Sequence, residues 1–551
     1  MALRFILGRG GAGKSSYILE NIKNQVKSNE KTPILIIVPE QYTFEIEKRV
    51  SEMYLGVEKD KYLRTRVLSF NTLSKIIFSQ VGGLADVNIN SSGKAMITYK
   101  AVESVSEELK VFSKSFTQPG FITSITDTIS ELKQYNLSYD KLNEISDRLD
   151  NEMLSMKLKD ISMIYESFDK SLHEKYVDSQ DILDSLTKKI SLSNYLDGAV
   201  VYIDEFTGFT PKQYNIIKEI TNKAREVNLS LTIDSLDDIN FRKMDVFSRT
   251  KYTYNKIMKM CKDEGIKVLN PVNLNEEQIR RFNGNKELIH LEKNYSFYPY
   301  KVYNDKTNNI EIREFNNLYQ EIEEIAKDIT LLARDKGVRY KNITVATRDL
   351  NRYNFLVQSI FSEYEIPYFI DEKREAKSNP IIVLIISILE MKSKWYRYDT
   401  MFRYLKSGLL GFCDDDISLI ENYVLANGIK GKKWFEEKWN YRISQNYSNA
   451  ESEYEINLKL RINEIKDRII KPISKFNNKL KRRNKVSEIC KYIYEFLLDI
   501  ELPETLENLI TEFKLYGDLD RANQYSQIWD IVIDMLDQMV ELLGNEYILS
   551  F

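Results

Sequence analysis

The chain opens on R-F-I-L-G-R-G-G-A-G-K-S-S, Arg4 to Ser16. An apolar run leads into it, and Gly8 to Ser15 fit the phosphate-loop pattern G-x-x-x-x-G-K-[ST]. Gly8, Gly10, Gly11 and Gly13 let the backbone approach an anion and take positive φ where the loop turns. The backbone N–H groups of that loop, Arg9 and Ala12 included, face a phosphate together with the N-terminus of the next helix. Lys14 then reaches the β- and γ-phosphates, and the Ser15 hydroxyl ligates Mg²⁺. The bland alternative is a glycine-rich turn with a chance Lys-Ser; a strand before and a helix after argue against it.

Outward from the loop, I-L-I-I-V at 34–38 is a second buried strand, so residues 3–38 form a β-α-β unit. Ile18, Ile22 and Val26 recur at spacing four and give the intervening helix one apolar stripe. Further strands are expected at V-V-Y-I (200–203), L-S-L-T-I (229–233) and N-I-T-V-A-T (342–347). The expected fold is α/β, a P-loop NTPase with large helical insertions and a second α/β domain. The expected domains are a P-loop domain at 1–85 and 190–295, a helical insertion at 86–189, a second, incomplete α/β domain at 296–400 and a truncated helical domain at 401–551. The second α/β unit begins near E-I-R-E-F (311–315) and includes I-P-Y-F-I-D (366–371). The closing Y-I-L-S-F stops in mid-pattern, as in a chain cut from a longer one.

The second chemical motif is V-V-Y-I-D-E-F-T-G-F-T-P-K-Q, Val200 to Gln213. A strand ending in Asp-Glu is the carboxylate pair of P-loop ATPases: Asp204 holds Mg²⁺ and Glu205 activates water. A third is P-E-Q-Y-T-F, Pro39 to Phe44, at the carboxyl end of the second strand, where open α/β sheets bind ligands. R-V-L-S-F-N-T-L, Arg66 to Leu73, shares that edge. Tyr42, Phe44 and Phe70 offer π-faces and Gln41, Thr43, Asn71 and Thr72 offer hydrogen bonds, a mix that suits a single strand of nucleic acid. Ordinary packing at strand ends is the competing reading.

Composition narrows the classes. The 551 residues allow several domains, and 43% apolar with 29% charged residues reads as soluble and globular. The longest apolar run, Ile381 to Leu389, is far short of the roughly 20 residues that span a bilayer. No export signal is visible, and Cys261, Cys413 and Cys490 are too scattered for a disulfide framework, so a reducing cytoplasm is expected. His173 and His290, the only histidines, make a histidine-built metal site improbable. The net charge of −3 leaves nucleic-acid binding to local patches. K-G-K-K-W (430–434) and K-F-N-N-K-L-K-R-R-N-K (475–485) are candidates, with a solvated helix face as the alternative.

As an ordered series, G-R-G-G-A-G-K-S, V-P-E-Q-Y-T-F, R-V-L-S-F and V-Y-I-D-E-F-T-G-F-T-P-K-Q resemble the AddB family. These are B subunits of bacterial AddAB helicase–nucleases, akin to UvrD-like helicases and RecBCD. K-S-G-L-L-G (406–411) and Q-I-W-D-I-V-I-D-M-L-D-Q (527–538) extend the likeness over essentially the whole chain. The resemblance implies the N-terminal, helicase-like half of such a subunit, acting in double-strand-break repair and recombination beside an AddA-like partner. It implies single- and double-stranded DNA as ligand, with Gln41, Thr43, Phe44, Phe70 and Thr72 gripping the strand scanned for a recombination hotspot. The family's nuclease and its four-cysteine iron–sulfur cluster are not expected here.

Three departures bear on ATP. Only two residues precede Leu3, which leaves no room for an upstream adenine-binding glutamine. T-I-D-S-L-D-D (232–238) stands where these motors carry G-D-x-x-Q, and K-N-Y-S-F (293–297) replaces N-Y-R-S. An arginine at the γ-phosphate is worth roughly 10³–10⁵ in rate. ATP·Mg²⁺ binding with weak or no turnover is therefore expected. The alternatives are an active superfamily 1 helicase and a P-loop kinase-like enzyme for a small substrate.

Overall fold

The computed structural model describes residues 2–27, 32–54, 64–82, 87–115, 118–173, 176–177, 179–236, 245–275, 280–282, 284–295, 298–370, 378–441 and 453–549. They divide into two compact units, Met1–Ile312 and Arg313–Phe551.

The first unit is built on a parallel sheet. Its strands are β1 (Ala2–Gly8), β2 (Ile34–Ile37), β3 (Thr65–Leu68), β6 (Val200–Ile203), β7 (Glu226–Thr232), β8 (Lys267–Val268) and β9 (Val272–Asn273). A separate short pair, β4 (Val87–Asn88) and β5 (Tyr176–Val177), lies within the helical insertion. The order is β3-β2-β6-β7-β1-β8, with β9 also on β1. Leu3 to Gly8 run in register with Val227 to Thr232, so the phosphate loop leaves β1 beside the end of β7.

Alternation along each strand sends side chains to two buried faces. Phe5, Leu7, Leu35, Ile37, Val201 and Ile203 enter one core, and Ile6, Ile34, Ile36, Val200 and Tyr202 the other. Both faces are covered, which is why β2 and β6 are apolar at every position. The stripe Ile18, Ile22 and Val26 of helix Lys14–Lys27 is buried in the second core, as its spacing predicts. Each such side chain contributes roughly 1.5–3 kcal/mol on burial.

Between 91 and 190 the described residues are mainly helical: Ser91–Val105, Pro119–Gln134, Tyr139–Asp147, Glu152–His173 and Ser179–Ile190. The last of these is not peripheral. Leu183, Leu186 and Ile190 lie in the core under the sheet.

The second unit differs from expectation in one respect. Helices Leu318–Lys336 and Leu350–Glu363 form and share a small core of Ile322, Ala326, Ile329, Ile360, Phe361 and Ile366. Residues 311–315, 342–347 and 366–370, however, pair with no strand; Asp371 lies outside the described residues. Their backbone groups find no neighbouring ladder, and Phe369 and Val345 stay 90% and 46% exposed. Residues 343–347 and 366–370 and the two helices border an open groove of about 900 Å³. The expected second sheet is therefore absent among the described residues.

From Pro380 onward the unit is helical, closed by the antiparallel pair β10 (Arg483–Lys485) and β11 (Tyr547–Leu549). Its core centres on Trp434 and Trp439, both fully buried with rings 5.2 Å apart.

Candidate nucleotide site and sheet edge

The loop after β1 has a backbone that few sequences could supply. A Cβ on Gly8 would come within 3.0 Å of Ala12 Cβ and 3.3 Å of Lys14 Cγ. Gly13 holds φ +95°, in the left-handed region that favours glycine. The Ala12 N–H closes the turn on Arg9 O at 3.2 Å. Lys14 Nζ donates to Gly8 O (3.1 Å) and Arg9 O (3.2 Å), so carbonyls, not carboxylates, hold the ammonium. Burial lowers its pKa, and the positive charge of Arg281 acts in the same direction; Asp204, Glu205 and Glu292 oppose them.

The two sequence motifs meet. Ser15 Oγ donates to Glu205 Oε1 at 2.8 Å, across 190 residues of chain. Asp204 is buried at the end of β6 and accepts a hydrogen bond from the Ser230 hydroxyl of β7. Glu205 sits at φ +64°, an uncommon backbone for a residue with a Cβ, which turns the chain at the strand end.

The donor set fits a magnesium nucleotide. The loop, Lys14 and the orphan N–H groups of the helix start would hold phosphates. Ser15 and Asp204 would hold the metal through the nucleotide. Among the described residues no cluster of three His, Cys, Asp or Glu could bind a metal alone, so phosphate oxygens and water must complete the shell, as is usual for Mg²⁺. The bound group would supply a phosphoryl centre whose charge these cations offset.

Arg9 takes a different role from the one its motif position suggests. Its N–H donates to Asn275 Oδ1 (2.7 Å), its guanidinium binds both Glu292 oxygens (3.0 and 2.9 Å), and it stacks over Phe247 at 5.1 Å. It braces the loop from behind. Asn275 also donates to Ile233 O and Asp234 O, at 2.9 Å each, tying the loop to the end of β7. Sequence reasoning missed Asn275, Glu292 and Arg281, which lie more than 260 residues from the loop with no spacing to mark them. Gln213 is structural: with Thr210 it forms the capping box of helix Pro211–Lys223. Thr232 ends β7 and Ile233–Leu236 follow it, while Asp237 and Asp238 lie outside the described residues. Lys293–Tyr295 finishes a helix, while Ser296 and Phe297 are likewise outside.

At the β2/β3 edge the two aromatic segments come together. Asn71 Nδ2 donates to Glu40 Oε2 at 3.1 Å, and Ser69 caps helix Phe70–Val81 through the Thr72 N–H (3.1 Å). Gln41 and Thr72 are exposed and Phe44 is 77% exposed. The Thr43 hydroxyl donates to Glu40 O at 2.7 Å. Phe70 corrects the expectation of a free π-face. It is buried with Leu73 and Ile77 and packs on Phe206 at 5.6 Å, which continues to Phe209 at 5.0 Å. Its helical spacing to Leu73 and Ile77 carried that signal.

Much of the basic cluster at 475–485 is engaged. Lys475 pairs with Asp499, Lys479 with Glu495, and Arg483 lies over the Tyr547 ring at 4.8 Å. Trp434 is a core residue. No described helix is long and apolar enough to cross a membrane.

Residues 5–292 match the family model "ADDB, N-terminal". The chain belongs to the AddB family. It is 66% identical over 548 residues to a protein of Clostridioides difficile, 46% over 550 to one of Caldanaerobacter subterraneus and 40% over 550 to one of Clostridium botulinum. Each of these AddB relatives is named as the B subunit of an ATP-dependent helicase/deoxyribonuclease. The matches cover 100% of this chain and 47%, 47% and 48% of the relatives, so the chain spans about half the length of the curated relatives it matches.

Proposed function

We propose that this AddB-family chain is a nucleotide-binding, DNA-gripping scaffold, the N-terminal half of the B subunit of an ATP-dependent helicase/exonuclease. It works in break repair and recombination in a bacterial cytoplasm, beside an AddA-like helicase–nuclease subunit. It holds ATP·Mg²⁺ at Gly8 to Ser15 with Asp204 and Glu205. It grips single-stranded DNA at the sheet edge through Gln41, Thr43, Phe44 and Thr72, and helps read a recombination hotspot with little ATP turnover of its own. Phe70 supports that edge from within.

The observation that carries this reading is the Ser15–Glu205 bond. It assembles the phosphate loop and the acidic strand end on the same rim as the exposed Gln41, Phe44 and Thr72. The low turnover rests on sequence: no glutamine in Thr232–Asp238 and no arginine in Lys293–Phe297. The intact Lys14, Ser15, Asp204 and Glu205 set favours the second reading, an active superfamily 1 helicase.

One experiment separates them. Titration with a fluorescent ATP analogue and Mg²⁺ should show binding that Lys14→Ala abolishes. Steady-state ATPase with single-stranded DNA should stay at background. Strong DNA-stimulated turnover would establish the helicase instead. Phe44→Ala should weaken single-strand binding by roughly 1–3 kcal/mol, the worth of one stacked base.

A further inference from the structure

The phosphate loop has one more cation beside it than its sequence pattern names. Residues Arg280–Phe282 form a short 3-10 turn, and the Arg281 N–H donates to Gly11 O at 3.2 Å. Gly11, at φ +80°, is in the middle of the loop. The turn is thus pinned to the loop by backbone, independently of the Arg281 side chain. That side chain is exposed and makes no ion pair among the described residues. Arg9, the arginine inside the motif, is in the opposite situation: Glu292 and Phe247 consume its guanidinium. The carboxylates nearest the loop are also engaged, Glu205 by Ser15 and Asp204 by Ser230.

We propose that Arg281 is a second phosphate-binding side chain of this pocket, closing on the terminal phosphoryl group of a bound nucleoside triphosphate. The proposal rests on the nucleotide reading above. The loop and the helix start wrap the inner phosphates, while Lys14 reaches outward. The turn stands against Gly11 at mid-loop and the charge of Arg281 is felt at Lys14, so the two cations share one neighbourhood. A guanidinium there can meet two phosphate oxygens at once, which an ammonium cannot. The role is grip and selection of triphosphate over diphosphate. Weak turnover then rests on the absence from Thr232–Asp238 of a glutamine to orient the attacking water.

The test uses the 551-residue chain. Unlabelled ATP and ADP, each with Mg²⁺, displace a fluorescent ATP analogue from the wild type, Arg281→Gln and Arg281→Lys. Arg281→Gln should weaken ATP by about tenfold or more, the worth of a charge-assisted hydrogen bond, and leave ADP unchanged. Arg281→Lys should recover part of the loss. Unchanged thermal melting of Arg281→Gln shows that the fold is intact, and a lowered melting temperature assigns the residue to structure and overturns the proposal. Equal losses for ATP and ADP, or none, also overturn it. A wild-type chain that binds neither nucleotide removes the nucleotide reading itself, and this inference with it.

Discussion

Glu205 shows how a single position serves geometry and chemistry together. Its positive φ turns the chain at the end of β6 and brings its carboxylate to Ser15. The backbone cost should be measurable by comparing two substitutions that both delete the carboxylate. Glu205→Gly should be more stable than Glu205→Ala by about 0.5–1 kcal/mol: the left-handed penalty of roughly 1–2 kcal/mol, less what unfolded glycine regains in freedom. Chemical denaturation of the two variants reads the difference, and equal stabilities would mean the turn is unstrained. The meeting of the glycine loop with the Asp204–Glu205 strand end is legible in the sequence, because each motif confines residue type and spacing to a few positions. Asn275, Glu292 and Arg281 are not, because their roles arise only when β9 and the following turn fold back beside β1. Phe70 was misjudged for a local reason. The cap at Ser69 makes it the first residue of a helix whose buried stripe it begins.

Among the elements, the helical insertion depends on polar ties that periodicity does not reveal. Lys133, buried on helix Pro119–Gln134, reaches Asp169 of helix Glu152–His173 at 2.8 Å and Asp181 of helix Ser179–Ile190 at 3.0 Å. One cation therefore joins three helices, and the last of them lies under the sheet. Burial opposes its charge, but Asp181 and Asp169 together more than offset this and hold its pKa above the ordinary lysine value. A raised pKa means the stabilisation is complete below the unfolded value of about 10.4 and is lost as pH climbs through the folded one. Asp181→Asn should lower that folded value, so alkaline loss of helicity by circular dichroism should begin at lower pH than in the wild type. Coincident pH profiles would show that Asp169 alone suffices. The sequence marks these segments as helical because they are long, polar and rich in helix formers, as in Phe121–Tyr135. It overcalled Asn342–Thr347 as a strand for a related reason. An apolar, β-branched run signals a strand only if a neighbour offers a ladder, and among the described residues none does.

At the scale of the whole molecule, the two units have separate cores. The sheet cores involve residues up to Leu274, whereas the cores of Ile322–Ile366 and Ile381–Leu536 belong to the second unit. The second unit also bears a groove flanked by the exposed Phe369 and Val345, so part of its apolar surface gains nothing from burial. Cooperative units with independent cores need not melt together, and two-state behaviour is not expected of a chain this long. Calorimetry of the 551-residue chain should resolve two transitions. A ligand stabilises only the unit that holds its site, by RT ln(1 + [L]/Kd), about 2.7 kcal/mol at a hundredfold excess over Kd. Gly8 to Ser15, Asp204, Glu205 and Arg281 all lie in the first unit. ATP with Mg²⁺ should therefore shift one transition upward and leave the other in place, and Lys14→Ala should remove the shift. Movement of both transitions together would show that the units unfold as one, despite cores that share no residue.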